Sequence, residues 1–186
     1  HFTDFVRQLH MESLGKKTKI DGNPVNVNTG NVIWGGSGSD GQHSYFQLLH
    51  QGSYTIPIDF IVDAGVSDDQ MDTYSLANCL AQSESLMAGM QEADPERSID
   101  GDKPNNVILV NKLSPQSIGQ LVSLYEHKVF VQSVIYGINA FDQYGVELGK
   151  KIAQSLSKVI SKSSRYTGKN PSTRALLSKI REYRKG

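Results

Sequence analysis

With 186 residues, the chain is long enough for one ordinary domain with a core of its own and short for two. Its 19 Lys and Arg residues balance 19 Asp and Glu, so overall charge gives no pull toward nucleic acid or an anionic membrane, and neither is expected as a partner. No run approaches the roughly 18 apolar residues that span a bilayer, no charged-then-apolar signal pattern opens the chain, and one cysteine, Cys79, excludes an internal disulfide; a cytoplasmic setting is expected.

The first residue, His1, already lies inside a helical repeat, which leads to the expectation that this is a fragment of a longer chain. Phe2, Phe5, Val6 and Leu9 recur at helical spacing, and Gly15 is placed to end that helix after Glu12 and Ser13. Val32-Ile33-Trp34 reads as a buried strand, and the glycine-rich run from Gly35 to Gly41 leads into a helix expected to continue through Gln51. Ile56 to Val62 is the next strand. Ser67 and Gln70 have capping-box spacing at the start of a helix expected to carry Tyr74, Ala77, Leu80 and Ala81 inward and to fade near Gly89. A charged loop over 92–105 precedes the strand Val107 to Val110, and Ser114-Pro115 is an N-cap and first-turn pair for a long helix to about Asn139.

Continuous apolar strands alternating with helices predict an α/β fold, a parallel sheet covered by helices on both faces. Two more helices are expected, from about Gly145 to Ile160 and from about Ser172 to Tyr183 after the breaker Gly168-Lys169-Asn170-Pro171. Residues 1–160 are taken as the α/β domain and 161–186 as a basic helical tail; from Lys150 onward there are eleven Lys or Arg and one acid, Glu182. Such a tail can bind polyanions, but no aromatic interleaving accompanies it and a solvated helical face accounts for it.

Several residues are of types that carry chemistry. Gly36-Ser37-Gly38-Ser39-Asp40-Gly41 fits G-x-G-x-x-G after a strand, with Asp63 about 20 residues later, the pattern of a dinucleotide site; glycines that only reverse the chain produce it too. Gln8 and Glu12, four apart, share one face of the first helix. A glutamate in the last turn lies beside the partly negative carbonyl end, which disfavours its ionisation and suits a general base, although a solvated surface glutamate has the same spacing. His43 is placed in the first turn of the helix after the glycine run, the usual address of a ligand, where a histidine can also cap or pack. Gln143 and Lys150 are seven apart, two helical turns, and face one cleft if their helix starts near Phe141; they fit a solvated face as well. No pair of histidines with a carboxylate has metal-ligand spacing, so no metal is expected.

In chain order, Met11-Glu12-Ser13-Leu14-Gly15-Lys16, Val32-Ile33-Trp34-Gly35, Gly41-Gln42-His43, His50-Gln51-Gly52, Ile56-Pro57, Asp59-Phe60 and Ala81-Gln82-Ser83-Glu84 resemble successive blocks of the glucose-6-phosphate isomerases. Leu124-Tyr125-Glu126-His127-Lys128 and the stretch from Phe141 to Lys150 resemble that family's C-terminal signature. The resemblance implies a domain of the SIS (phosphosugar-isomerase) type with an αβα sandwich. It implies interconversion of glucose 6-phosphate and fructose 6-phosphate through a cis-enediol, without a cofactor. Glu12 would carry the proton between C1 and C2, His43 and Lys150 would assist ring opening, and Gln8 and Gln143 would contact the sugar phosphate. It also implies a homodimer in which the histidine serves the neighbour's site.

Three departures stand out: Gly36-Ser37 where the family has glutamate-proline, Tyr144 where it has tryptophan, and a shorter segment between Glu84 and Gly101. The family's phosphate-binding serine and threonine loop and its catalytic arginine lie in an N-terminal domain outside this sequence, so the chain alone is expected to be inactive. Two rivals remain: a non-catalytic phosphosugar-binding module, and a dinucleotide-binding oxidoreductase domain using Gly36 to Gly41.

Overall fold

The computed structural model describes residues 1–65, 70–162 and 164–184. They fall into two compact units, His1–Ala140 and Phe141–Gly186.

The first unit opens with α1 (Phe2–Leu14), ended as its sequence predicts by Gly15, whose N–H donates to the Met11 carbonyl at 3.0 Å. Two short helices follow, α2 (Gly38–Gln42) and α3 (Phe46–Gln51), then strand β1 (Ile58–Asp63), helix α4 (Gln70–Ala88), strand β2 (Asn105–Val110) and helix α5 (Pro115–Tyr136). β1 and β2 pair in parallel, Ile58 opposite Asn105 through Asp63 opposite Val110, with α4 as the crossover. A parallel pair needs such a connection because the chain must return to the same end of the sheet before the second strand begins. Side chains alternate across β1. Ile58 and Phe60 face the cluster of Phe46, Leu49 and Leu86 from α3 and α4, while Asp59 meets Tyr125 and Lys128 of α5. Helices thus cover both faces, the expected α/β arrangement. A second cluster, Leu14, Val129 and Ile138, joins the end of α1 to α5.

Helix ends follow local chemistry. Ser114 accepts from the Ser117 N–H at 3.2 Å, and the Ser117 hydroxyl accepts from the Ser114 N–H at 2.9 Å, closing a capping box around Pro115. α5 stops at Gly137, which takes the left-handed conformation with φ +69°.

Four expectations are corrected. Val32-Ile33-Trp34 is irregular and unpaired: among the described residues no backbone ladder forms there, and Val32 and Trp34 are exposed. A strand needs a neighbouring edge, and an apolar run alone does not supply one. The helix expected through Gln51 is broken, because Gly, Ser and Asp are weak helix formers. The Gly41 carbonyl accepts from both Ser44 and Tyr45, tightening the last turn of α2, and the Tyr45 ring turns edge-on to Trp34 with centroids 4.5 Å apart. His43 therefore caps the C-terminus of α2 instead of opening a helix.

On α4, Tyr74, Ala77, Leu80 and Ala81 are exposed, whereas Leu76, Cys79, Ser83 and Leu86 face inward. This helix is apolar on more than one side, so its partner selects the face. Ser83 donates to Asn105 Oδ1 on β2 at 2.6 Å, and Leu86 is fully buried. Ser67 lies outside the described residues.

The second unit holds α6 (Glu147–Lys162) and α7 (Pro171–Tyr183), preceded by a 3-10 turn over Tyr144–Val146. Asn170 caps α7 by accepting from the Thr173 N–H at 3.0 Å. Arg181 donates to the Ser164 carbonyl at 2.5 Å and Arg184 to the Ile160 carbonyl at 3.4 Å, tying α7 back to the end of α6. The fourth correction falls here. The helix begins at Glu147, so the spacing of seven between Gln143 and Lys150 does not span two helical turns. Among the described residues no helix is long and apolar enough to cross a membrane.

Candidate functional site

Glu12 sits half-buried in the last turn of α1, and its Oε2 accepts from the Gln8 amide at 3.1 Å. The pairing follows from an (i, i+4) spacing on a helix whose opposite side is the buried one, occupied by His10 and Leu14. The last turn is not simply the negative end of a helix. The Lys16 ammonium donates to the carbonyls of Glu12 at 3.2 Å and Ser13 at 2.7 Å, placing a full positive charge over the last peptide oxygens of the helix. Thr29 holds this corner from the following segment by donating to the Lys16 carbonyl at 2.5 Å. The carboxylate is therefore fixed by its own helix turn and by a side chain one turn away.

His43 is exposed at the end of α2, and among the described residues no hydrogen bond joins it to Glu12. Gln143 and Lys150 belong to the second unit, where both are exposed: Gln143 precedes the 3-10 turn and Lys150 lies in the first turn of α6, with no hydrogen bond between them. Of the three expected site residues in the first unit, Gln8 and Glu12 are joined by a hydrogen bond and His43 stands apart from them.

The dinucleotide pattern loses its context. Among the described residues no strand precedes the glycine run, Gly38 to Gly41 are already wound into α2, and Asp63 is engaged elsewhere. It accepts from the Gly65 N–H and the Leu113 N–H, both at 2.9 Å, tying together the chain beyond the two strands. Beside that tie lies a cleft of about 610 Å³ between the end of β2 and the start of α5, bordered by Lys112, Ser114 and Gln120. A second cleft of about 510 Å³ is bordered by Gln47, His50, Gln82 and Arg97, with His50 Nε2 3.0 Å from Gln82 Oε1. Neither is lined by Glu12 or His43.

A polar node beneath α1 escaped the sequence reading. Asp59, the second residue of β1, accepts from Asn106 Nδ2 at 2.8 Å, the Tyr125 hydroxyl at 3.0 Å and Lys128 Nζ at 3.1 Å. Burial works to raise its pKa, but the hydrogen bonds from Asn106 and Lys128, the Lys128 charge and the Tyr125 hydroxyl outweigh that and hold the carboxyl below its ordinary value. Burial and the Asp59 charge push the Tyr125 phenol far upward, so it remains a hydrogen-bond donor. Burial first, and then Lys128, lower the pKa of His10 on α1 and favour the neutral imidazole. One signal was available in the sequence, a lone acid in the apolar run Ile58-Asp59-Phe60-Ile61-Val62.

A family model described as phosphoglucose isomerase matches residues 1–177. The chain belongs to the phosphoglucose isomerase family. Two curated members, the glucose-6-phosphate isomerases of Xanthomonas oryzae pv. oryzae (strain PXO99A) and Xanthomonas axonopodis pv. citri (strain 306), are each 49% identical over 179 residues, 95% of this chain and 35% of theirs. The chain thus spans about a third of the length of these curated relatives. The crystal structure of a glucose-6-phosphate isomerase from Chlamydia trachomatis D/UW-3/Cx superposes with a TM-score of 0.82 at 34% identity, covering 98% of this chain and 35% of that one. A hypothetical protein from Thermus thermophilus shares the fold, with a TM-score of 0.64 at 22% identity over 84% of this chain and 38% of its own. Membership of the phosphoglucose isomerase family accounts for the block order seen in the sequence.

Proposed function

We propose that this chain supplies the proton-transfer carboxylate of an aldose-ketose isomerase that interconverts glucose 6-phosphate and fructose 6-phosphate. The observation that carries the reading is the Gln8–Glu12 pair at the end of α1, inside the Met-Glu-Ser block that resembles the family's base. Isomerisation between adjacent carbons needs one carboxylate that takes a proton from C2 of the open aldose and returns it to C1 of the cis-enediol, with no net change in oxidation level. Gln8 steadies that carboxylate by donating to Oε2.

By family resemblance, His43 and Lys150 move protons at the ring oxygen during opening, and Gln8 and Gln143 contact the sugar phosphate. His43 is exposed rather than turned into its own core, which suits service to a second copy in a homodimer. With the phosphate-binding loop and the catalytic arginine expected outside this sequence, the segment works as part of a longer enzyme. The single cysteine fits a reducing, cytoplasmic setting.

The test is the rate of fructose 6-phosphate formation by a full-length enzyme carrying this segment, intact and as Glu12→Gln, with the isolated chain as a third sample. A general base contributes about 10²–10⁴ in rate, so Glu12→Gln should lower kcat by about that factor while substrate still binds, and the isolated chain should be silent. A Glu12→Gln enzyme running at the parental rate removes Glu12 from the chemistry. Loss of nothing but binding would favour the phosphosugar-binding module.

A further inference from the structure

Among the described residues Glu12 is held by its own helix and the Lys16 corner, so its position in space is that of α1. What seats α1 is the surface of α5. Near its start, Phe2 meets the Tyr125 ring edge-on with centroids 5.7 Å apart. Near its end, Leu14 packs with Val129 and Ile138. Between them the buried His10 lies within the field of Lys128. Tyr125 and Lys128 are three residues apart on α5, and Lys128 lies over the Tyr125 ring with Nζ 5.4 Å from its centroid. Both groups end on one atom, Asp59 Oδ2, at 3.0 and 3.1 Å, while Asn106 from β2 holds Oδ1 at 2.8 Å.

We infer that Asp59 is a positioning residue for Glu12: from the start of β1 it clamps Tyr125 and Lys128 into the surface on which α1 is seated. The inference rests on the reading of Glu12 as the base. The Tyr125 side chain is buried and its ring is the wall against Phe2, so the hydroxyl bond to Asp59 fixes how that wall stands. Lys128 is half-exposed and long; without Asp59 its ammonium is free to swing, and the electrostatic environment of His10 changes with it. A small shift or rotation of α1 is then carried to Gln8 and Glu12 on its other side. Proton abstraction from carbon tolerates little displacement, since about 1 Å of misplacement costs on the order of a hundredfold in rate. Substrate binding depends less on this one carboxylate, so the loss should fall on kcat.

The experiment compares full-length enzymes carrying this segment as Asp59→Asn, Tyr125→Phe, Lys128→Met and Lys128→Arg, with Glu12→Gln in parallel, measuring kcat, KM and hydrogen exchange of the α1 amides. Expected are a fall in kcat of about tenfold or more with KM within about twofold for Asp59→Asn and Tyr125→Phe, faster exchange along α1, and closer to parental kcat in Lys128→Arg than in Lys128→Met. Asp59→Asn and Tyr125→Phe at parental kcat, or a rise in KM with kcat unchanged, overturn the inference even where Glu12→Gln is crippled. Should Asp59→Asn fail to fold, Tyr125→Phe decides, because it keeps the ring and deletes only the hydroxyl. An active Glu12→Gln enzyme instead overturns the assignment of the base on which the inference stands.

Discussion

Replacing Leu14 by alanine tests whether the end of α1 is held by packing. Leu14 is fully buried between Val129 and Ile138, two residues after Glu12. The substitution removes three carbons. At about 0.8 kcal/mol per buried carbon the lost transfer energy is about 2.4 kcal/mol. A cavity that closes incompletely brings the total to about 2.7–5.0 kcal/mol. Since about 1.4 kcal/mol is a factor of ten, opening of the α1–α5 contact should become at least about a hundredfold more frequent. Amide hydrogen exchange of residues 10–14 reads this directly, at a pH where intrinsic exchange is slow and reclosing fast. Leu109→Ala is the control, because Leu109 on β2 is 61% exposed and has little burial to lose. Exchange in Leu14→Ala within about threefold of the parent, or equal effects from the two substitutions, would show that the α1 terminus is not held by this cluster.

Two further outcomes are expected. The lowered pKa of His10 means that the unfolded chain binds a proton that the folded chain refuses. Stability should therefore be unaffected above about pH 6.5 and fall as pH drops below that value, until His10 protonates in the folded state. Urea midpoints at pH 7.5 and pH 5.5, with an NMR titration of the His10 ring, check the sign, and a His10→Gln protein should show less of this slope. Gly89 and Gly101 have φ of +66° and +74°, and a Cβ on either would fall 2.6–2.8 Å from the other's backbone nitrogen. Alanine at either should cost more than Gly137→Ala, because Gly137 shares the left-handed conformation but has only the flexible Lys19 side chain nearby, at 3.8 Å. Thermal midpoints of the three proteins rank them.

The features legible in the sequence are those whose causes are local. Gly15, Ser114-Pro115 and Asn170-Pro171 mark helix ends because a cap is made by residues within one turn of it, and Gln8 with Glu12 needs nothing but helical spacing. Val32-Ile33-Trp34 misleads because strand pairing is decided by a partner elsewhere in the chain. On α4 the apolar residues outnumber one face, so only the sheet and α3 determine that Cys79 and Leu86 turn inward. His43 and Gln143 were displaced by helix boundaries that glycine-rich stretches leave weakly specified. Roles for His43, Lys150 and Gln143 came from family resemblance, whereas Asp59 entered only as part of the Asp59-Phe60 block, with no role attached. An acid within an apolar strand has no meaning until Tyr125 and Lys128 arrive from 66 and 69 residues away.

Gly89 and Gly101 have a consequence for how this chain tolerates a change of length. Gly89 and Gly101 lie back to back at the root of one excursion, Met90 and Ile99 exchange backbone hydrogen bonds at 2.8 Å just above them, and Asp102 and Lys103 return to the carbonyls of Met87 and Leu86. The chain leaves α4 and comes back to the same spot before entering β2. Whatever lies between 91 and 98 is a parenthesis whose brackets are pinned, so residues can be added or deleted inside it without altering the register of the strand beyond. Closure entropy grows only slowly with the length enclosed. A change of length inside 91–98 would therefore spare the α1–α5 contact and put at risk chiefly the bonds that the Gln51 amide of α3 donates to the Glu96 and Ser98 carbonyls, so this is where a tag or a reporter domain can be spliced in.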